Sequence, residues 1–116
     1  MFVRLYTGPD GLSHFEELPL PFDAPTGRGT TPPLASPGAF FNRSPAGQDS
    51  GWHTAPRRQY VIGIAGVTEL TLRDGTARRF GPGDVLLAED VTGSGHHTKM
   101  VGDEDRVSLM IPLGDE

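Results

Sequence analysis

Short apolar stretches, separated by turn residues, run along most of the chain. From position 67 to 73 the side chains alternate with the two-residue period of a β-strand. Asp74-Gly75 follows directly, a dipeptide typical of tight hairpins because both positions tolerate positive φ. Comparable runs predict β-strands at residues 2–6, 13–18, 39–43, 59–65, 67–73, 76–80, 85–88, 96–101 and 106–111.

The segments between these runs are rich in glycine and proline. The chain has 16 glycines and 11 prolines, and residues 19–38 hold six of those prolines. Since proline cannot donate a hydrogen bond to a sheet, this segment is predicted to be an extended loop or an edge segment. Strands at regular spacing, with no helical period between them, favour an all-β sandwich or barrel.

The length and composition predict one domain. The chain has 116 residues, of which 35% are hydrophobic, enough for one modest core. The predicted domain spans residues 1–116, with N-terminal strands and the Pro-rich loop in 1–50 and the barrel core in 51–113.

Charge and residue usage exclude several classes of function. A formal net charge of −5 argues against a nucleic-acid partner, which needs a basic surface to neutralise phosphates. The chain has no cysteine, so disulfides and thiol nucleophiles are excluded. No apolar stretch reaches the roughly 20 residues that cross a bilayer, and the N-terminus does not resemble a signal peptide. A cytoplasmic protein without a membrane partner is expected.

The segment from Trp52 to His97 resembles the first and second sequence motifs of the cupin superfamily. The first cupin motif has two histidines one residue apart, a glutamate three or four residues later, and a glycine after the following strand. His53 and Gly66 match this motif, whereas Ala55 stands at the second histidine and Gln59 at the glutamate.

The second cupin motif runs from a glycine to a Pro-x-Gly-x-x-His ending. Gly83-Asp84 opens it here and His96 closes it, with Val91 in place of the proline. Residues 10–16 are also similar to the Asp-Gly-x-Ser-His-Phe-Glu-like segment with which a group of small bacterial cupins begins. The resemblance implies an all-β, cupin-type double-stranded β-helix, that is, a jelly-roll barrel.

In such a barrel, alternate residues of a strand point inwards, so His53 and Ala55 would share the inner face. An inward Gln59 would bring Val61 and Gly63 with it. An inward His96 would bring Thr98 and Met100, and would turn His97 and Lys99 outwards.

The resemblance implies a divalent metal ion (Fe, Mn, Ni or Zn) held by His53, Gln59 and His96. His14 could fill the position left by Ala55 if the N-terminal strand passes the barrel mouth. Alternatively, the pocket binds its ligand without a metal, or the histidines are purely structural.

Further side chains are candidates for a substrate pocket: Phe41, Trp52, Arg57, Tyr60 and Met100. Core packing is the alternative for the aromatic residues, and a solvated turn is the alternative for Arg57. Glu89 and Asp90 could act as general acid or base if they were buried, but their position after a strand indicates an exposed loop. The sequence assigns no catalytic residue.

Two main functions remain open. One is a metal-dependent cupin enzyme of the dioxygenase, isomerase, cyclase or decarboxylase type, acting on a small organic substrate in the barrel. The other is a metal-free, non-catalytic module that binds or senses a metabolite; a third reading is an accessory protein with a filled barrel. A homodimer is expected because edge strands of open sheets pair across a two-fold, with residues 2–6 at the interface.

Overall fold

The computed structural model describes residues 1–114, which form ten β-strands and no helix. All nine predicted strands are present within a few residues of their predicted ends, and the all-β prediction is confirmed. The strands are β1 (Phe2–Thr7), β2 (Ser13–Glu17), β3 (Phe40–Ser44), β4 (Asp49–His53), β5 (Gln59–Ala65), β6 (Val67–Thr71), β7 (Ala77–Phe80), β8 (Val85–Ala88), β9 (His96–Val101) and β10 (Arg106–Pro112).

The strands form two sheets. The larger sheet has six strands in the order β2-β1-β8-β5-β10-β3, and the smaller has four in the order β4-β9-β6-β7. Only β1 and β8 run parallel, and all other pairs are antiparallel. The two sheets do not close into one continuous barrel, so the all-β part of the prediction is confirmed and the jelly-roll barrel stays a prediction.

The hydrophobic core lies between the two sheets. Val3 and Leu5 of the larger sheet are fully buried, and Leu70 and Phe80 of the smaller sheet belong to the same cluster. Burial of apolar surface at about 25 cal/mol per Å² is what holds the two layers together. β1 lies inside the larger sheet between β2 and β8, so it offers no free edge for pairing, and the homodimer with residues 2–6 at its interface stays a prediction.

The inner face of β5 follows the predicted alternation. Gln59 and Val61 face the space between the sheets, whereas Tyr60 and Ile62 line a groove on the outer side. A side chain at Gly63 would collide with the carbonyl oxygen of Gly81, so only glycine fits there.

The Pro-rich segment forms no strand between residues 18 and 39, as predicted. It covers the outer face of the larger sheet, where Leu20, Pro32 and Leu34 face Tyr60 and Ile111 across a groove of about 300 Å³. Since residues 1–114 contain no helix, they contain no helix able to cross a membrane.

Candidate functional site

A pocket of about 440 Å³ opens between the two sheets, a size typical of small-molecule sites. Both sheets and the turn between β3 and β4 contribute to its wall. The lining residues are Asn42, Arg43, Ser44, Gln48, Ser50, His53, Ala55, Pro56, Gln59, Val61, Thr68, Leu86, Ala88, His96, Thr98, Met100, Arg106, Ser108 and Met110.

Two histidines meet at one end of this pocket. His53 on β4 lies directly opposite His96 on β9, and their ring centroids are 4.8 Å apart with the rings inclined at 63°. The Thr98 hydroxyl lies 3.4 Å from Nε2 of His53. Antiparallel pairing of the two strands therefore places two imidazoles and a hydroxyl on the same wall.

A buried carboxylate lies behind His96. Oδ2 of Asp90 accepts a hydrogen bond of 2.6 Å from Nδ1 of His96 and another of 2.7 Å from the Ser13 hydroxyl. The Asp90 carbonyl oxygen also accepts the backbone N–H of Ala55 at 3.0 Å. Asp90 thus holds the His96 ring through its side chain and the backbone at Ala55 through its carbonyl oxygen. The prediction that residues 89 and 90 form an exposed loop is wrong, since Asp90 is fully buried and the Glu89 side chain is only 14% exposed.

The protonation of His53 follows from its surroundings. Partial burial, and then the nearby His96, hold the pKa of His53 below its usual value, while hydrogen bonds to the backbone and the Asp90 charge oppose this only in part. At neutral pH His53 is therefore an uncharged imidazole that can donate one hydrogen bond and accept another.

Gln59, the third expected metal ligand, lines the pocket but its oxygen is already engaged. Nη1 of Arg57 donates a hydrogen bond of 3.0 Å to Oε1 of Gln59. A guanidinium at that oxygen opposes the approach of a second cation. Ala55 supplies no donor, and residues 1–114 hold no cluster of three or more His, Cys, Asp or Glu side chains arranged for a metal. The donor set is therefore two imidazoles, which falls short of a complete ligand shell.

The remaining predicted site residues are divided between the pocket and the outer surface. Met100 lines the pocket, whereas Phe41, Trp52, Arg57 and Tyr60 do not. Phe41 is 71% exposed on the edge strand β3. Trp52 lies on the outer face, where the Arg73 guanidinium is 3.8 Å from its ring centre.

The other two histidines stay outside the pocket. His14 contacts the Asp10 carboxylate at 3.0 Å and does not reach the position beside Ala55. His97 points away as predicted, with Nε2 2.9 Å from the Asp49 carboxylate.

Sequence reasoning missed two residues of this site, Ser13 and Arg106, and it considered Asp90 as an acid or base only in a loop predicted to be exposed. Ser13 lies within the segment 10–16 that resembles other small cupins, and this was the available signal that the segment touches the site. Asp90 and Arg106 give no local signal, because their burial depends on contacts with strands distant in sequence.

Comparison with known proteins adds little to this geometry. No family model matches the sequence, and no curated protein matches it. A conserved protein of unknown function from Streptococcus pyogenes is similar in structure, with 22% identity and a TM-score of 0.48. The match covers 68% of this chain and 65% of that protein, so the chain spans less than two thirds of its length.

Proposed function

We propose that this protein binds a small organic molecule in the pocket between its sheets, with His53 and His96 as the polar groups that contact it. The observation that carries the proposal is the Asp90 carboxylate fixed behind His96. A fully buried carboxylate is costly unless it is hydrogen-bonded, and here one oxygen, Oδ2, bonds both the Ser13 hydroxyl and the His96 ring that it holds in place. With Nδ1 bonded to Asp90, Nε2 is the nitrogen left for a ligand.

We further propose that the two-sheet fold is a cupin-type double-stranded β-helix that stays open at one side. His53 and His96 support this, because they occupy the histidine positions of the two cupin motifs and lie on paired strands. Binding without a metal is favoured over metal chemistry, since no acidic side chain lines the described pocket and Arg57 engages Gln59.

The test is a thermal-shift screen of a metabolite library in the presence of EDTA, followed by NMR titration of the histidine side-chain signals. We expect at least one compound to stabilise the protein and to shift the signals of His53 and His96. His53→Ala and His96→Ala should each weaken binding at least tenfold, whereas His97→Ala, on the outer face, should not. If no compound binds, or if binding is indifferent to both pocket histidines, the proposal fails.

A second candidate is a metal-dependent enzyme, and one observation favours it. Histidines that bind metals usually donate their other ring N–H to a carboxylate, as His96 does to Asp90. His53 and His96 would hold the metal, which would supply Lewis-acid or redox chemistry when bound.

Metal analysis separates the two candidates. The protein, prepared without a metal-affinity tag, is incubated with Fe²⁺, Mn²⁺, Ni²⁺ or Zn²⁺, desalted and analysed for metal content. Stoichiometric metal that is lost in His53→Ala and His96→Ala would favour the enzyme. If the protein retains none of the four ions, the metal-dependent enzyme is rejected and the metal-free binding protein is favoured.

A further inference from the structure

The pocket is basic although the chain as a whole is acidic. The described lining residues include two arginines, Arg43 and Arg106, but no aspartate or glutamate, whereas the whole chain carries a net charge of −5. The acidic side chains are thus placed elsewhere. Such segregation is expected where the natural occupant of a pocket is itself an anion.

Arg106, the first residue of β10, is the buried charge in this pocket. Its residue exposure is only 4%, and Nη1 donates a hydrogen bond of 3.1 Å to the carbonyl oxygen of Gly66. Nε is buried with no hydrogen-bond partner among residues 1–114. Burial lowers the pKa of Arg106, and the negative charge of Asp84 offsets only part of that effect. Since the group stays ionised in proteins, the guanidinium remains a buried cation with unused donors.

The fold keeps space for this guanidinium. A Cβ atom on Gly63 of β5 would lie 2.7 Å from Nη1 of Arg106, so any other residue there would displace it. Arg106 pairs with Ser44 of β3 across the sheet, and Ser108, two residues further along, shares its face. The guanidinium therefore has a defined position on the inner wall.

Arg106 and the two histidines occupy opposite ends of the pocket. Arg106 donates its hydrogen bond to the carbonyl oxygen of Gly66. Two residues further along the chain, Thr68 pairs with Met100 of β9, so the Arg106 end of the pocket lies at Met100. Met100 is four residues from His96, a separation of about 13 Å along a strand. Apolar side chains line the wall between the ends: Val61, Leu86, Met100 and Met110.

We infer that the ligand of this pocket is an elongated organic carboxylate, whose anionic group pairs with Arg106 and whose polar far end reaches His53 and His96. This inference rests on the proposed function and gives the chemical class of its ligand. An arginine and a carboxylate form charge-assisted hydrogen bonds, which satisfy a buried cation better than neutral acceptors do. The two imidazoles and the Thr98 hydroxyl lie on one wall at the far end, where they suit a hydroxyl or carbonyl group because they can donate and accept hydrogen bonds.

The experiment compares acids with their neutral amides. The probes are 4-hydroxybutanoate, 6-hydroxyhexanoate and 8-hydroxyoctanoate, the corresponding hydroxyamides, and inorganic phosphate. Binding is followed by NMR through the Nε–H signal of Arg106, which is assigned by its loss in Arg106→Lys. At least one acid should shift this signal and bind tenfold or more tightly than its amide, and phosphate, which lacks the apolar chain, should bind more weakly than that acid.

Variants test whether Arg106 is responsible. Arg106→Met should weaken acid binding at least tenfold, while Arg79→Met, at an exposed arginine paired with Glu69, should leave it unchanged. Should Arg106→Met fail to fold, Ser108→Asp and Ser108→Asn form a matched pair on the same face. The aspartate should pair with Arg106, so Ser108→Asp should bind acids at least tenfold more weakly than Ser108→Asn, which has nearly the same size and no charge.

The inference is overturned if amides bind as tightly as acids, if none of the acids binds, or if Arg106→Met or Ser108→Asp binds acids normally. These results are distinct from a failure of the proposed function. If a neutral compound from the metabolite screen binds through His53 and His96, the proposed binding pocket is supported. Only the inference that its ligand is a carboxylate then fails.

Discussion

Nδ1 of His96 lies 2.6 Å from Oδ2 of Asp90, and neither side chain has appreciable contact with solvent. The contact selects the tautomer in which Nδ1 carries the proton and Nε2 carries the lone pair. In Asp90→Asn the charge is lost, and we expect ¹⁵N NMR of His96 to show a mixture of tautomers together with ligand affinity lowered about tenfold or more.

The surface pair of Asp10 and His14 gives the control for this prediction. Asp10→Asn removes a comparable contact outside the pocket and should leave the ¹⁵N signals of His96 and the ligand affinity unchanged. A wild-type tautomer pattern in Asp90→Asn would show that Asp90 has only a structural role.

Glu89 makes stability depend on pH. Burial alone would raise its pKa, but hydrogen bonds from Arg4 and Arg58 hold the pKa of Glu89 below its usual value of 4.5. A carboxyl with a lowered pKa stabilises the fold above its unfolded pKa, and the effect disappears as pH falls through the folded value. Glu89→Gln should therefore cost about 1 to 3 kcal/mol at pH 7 and progressively less from about pH 5 downwards.

Urea unfolding at several pH values measures this dependence. Glu69→Gln breaks the more exposed pair with Arg79 and should change the free energy of unfolding by less than about 1 kcal/mol. A constant difference between wild type and Glu89→Gln from pH 7 down to pH 3 would contradict the prediction.

Gly95 allows β4 and β9 to approach each other beside the two histidines. Its φ is +73°, and a side chain would collide with the backbone carbonyl of His53. Gly102 has a similar φ of +83° but open space around it, so Gly102→Ala should cost about 1 to 2 kcal/mol from the backbone alone. Gly95→Ala should cost clearly more and should lengthen the distance between the His53 and His96 rings. Thermal unfolding and ring-to-ring NOEs measure the two effects, and equal losses in both variants would contradict the assigned contact.

Ala55→His tests whether the pocket is one ligand short of a metal site. Ala55 lines the pocket next to His53, and a third imidazole would complete a set that binds Zn²⁺ well. Calorimetric titration should show Zn²⁺ binding at least tenfold tighter than in wild type. Ala55→Leu, of similar size and without a donor, should show no gain. If the histidine variant gains nothing either, His53 and His96 do not converge on a common point.

The strand pattern was predictable where turns bracket an alternating run, and β5, β8 and β9 have the predicted ends. β4 was missed because its sequence is polar and contains Gly51, at which φ is positive and the register shifts. Whether the sheets close into a barrel was not predictable, because strand periodicity states which face a residue occupies but not how the outermost strands meet.

The errors in the pocket have a common cause. Trp52 adjoins His53, and Tyr60 adjoins Gln59, so the same alternation that turns one residue of each pair inwards turns the other outwards. The burial of Asp90 and Arg106 could not be predicted from the sequence. Neither residue lies in a clearly alternating run, and each is buried by residues that are distant along the chain. For Asp90 one such residue is Ser13, 77 positions earlier.

β3 and β4 are the outermost strands on one side of the molecule, and each is hydrogen-bonded to a single neighbouring strand. Residues from both strands and from the turn between them line the pocket, yet neither strand contributes to the buried core cluster. Separation of this wall breaks the hydrogen bonds to β9 and β10 and a few other contacts, such as those of Ala46 with Asp105 and Trp52 with Arg73, and it leaves the core cluster packed. Local unfolding here should require less free energy than global unfolding, so amide hydrogens of β3 and β4 should exchange first and a bound ligand should slow them most.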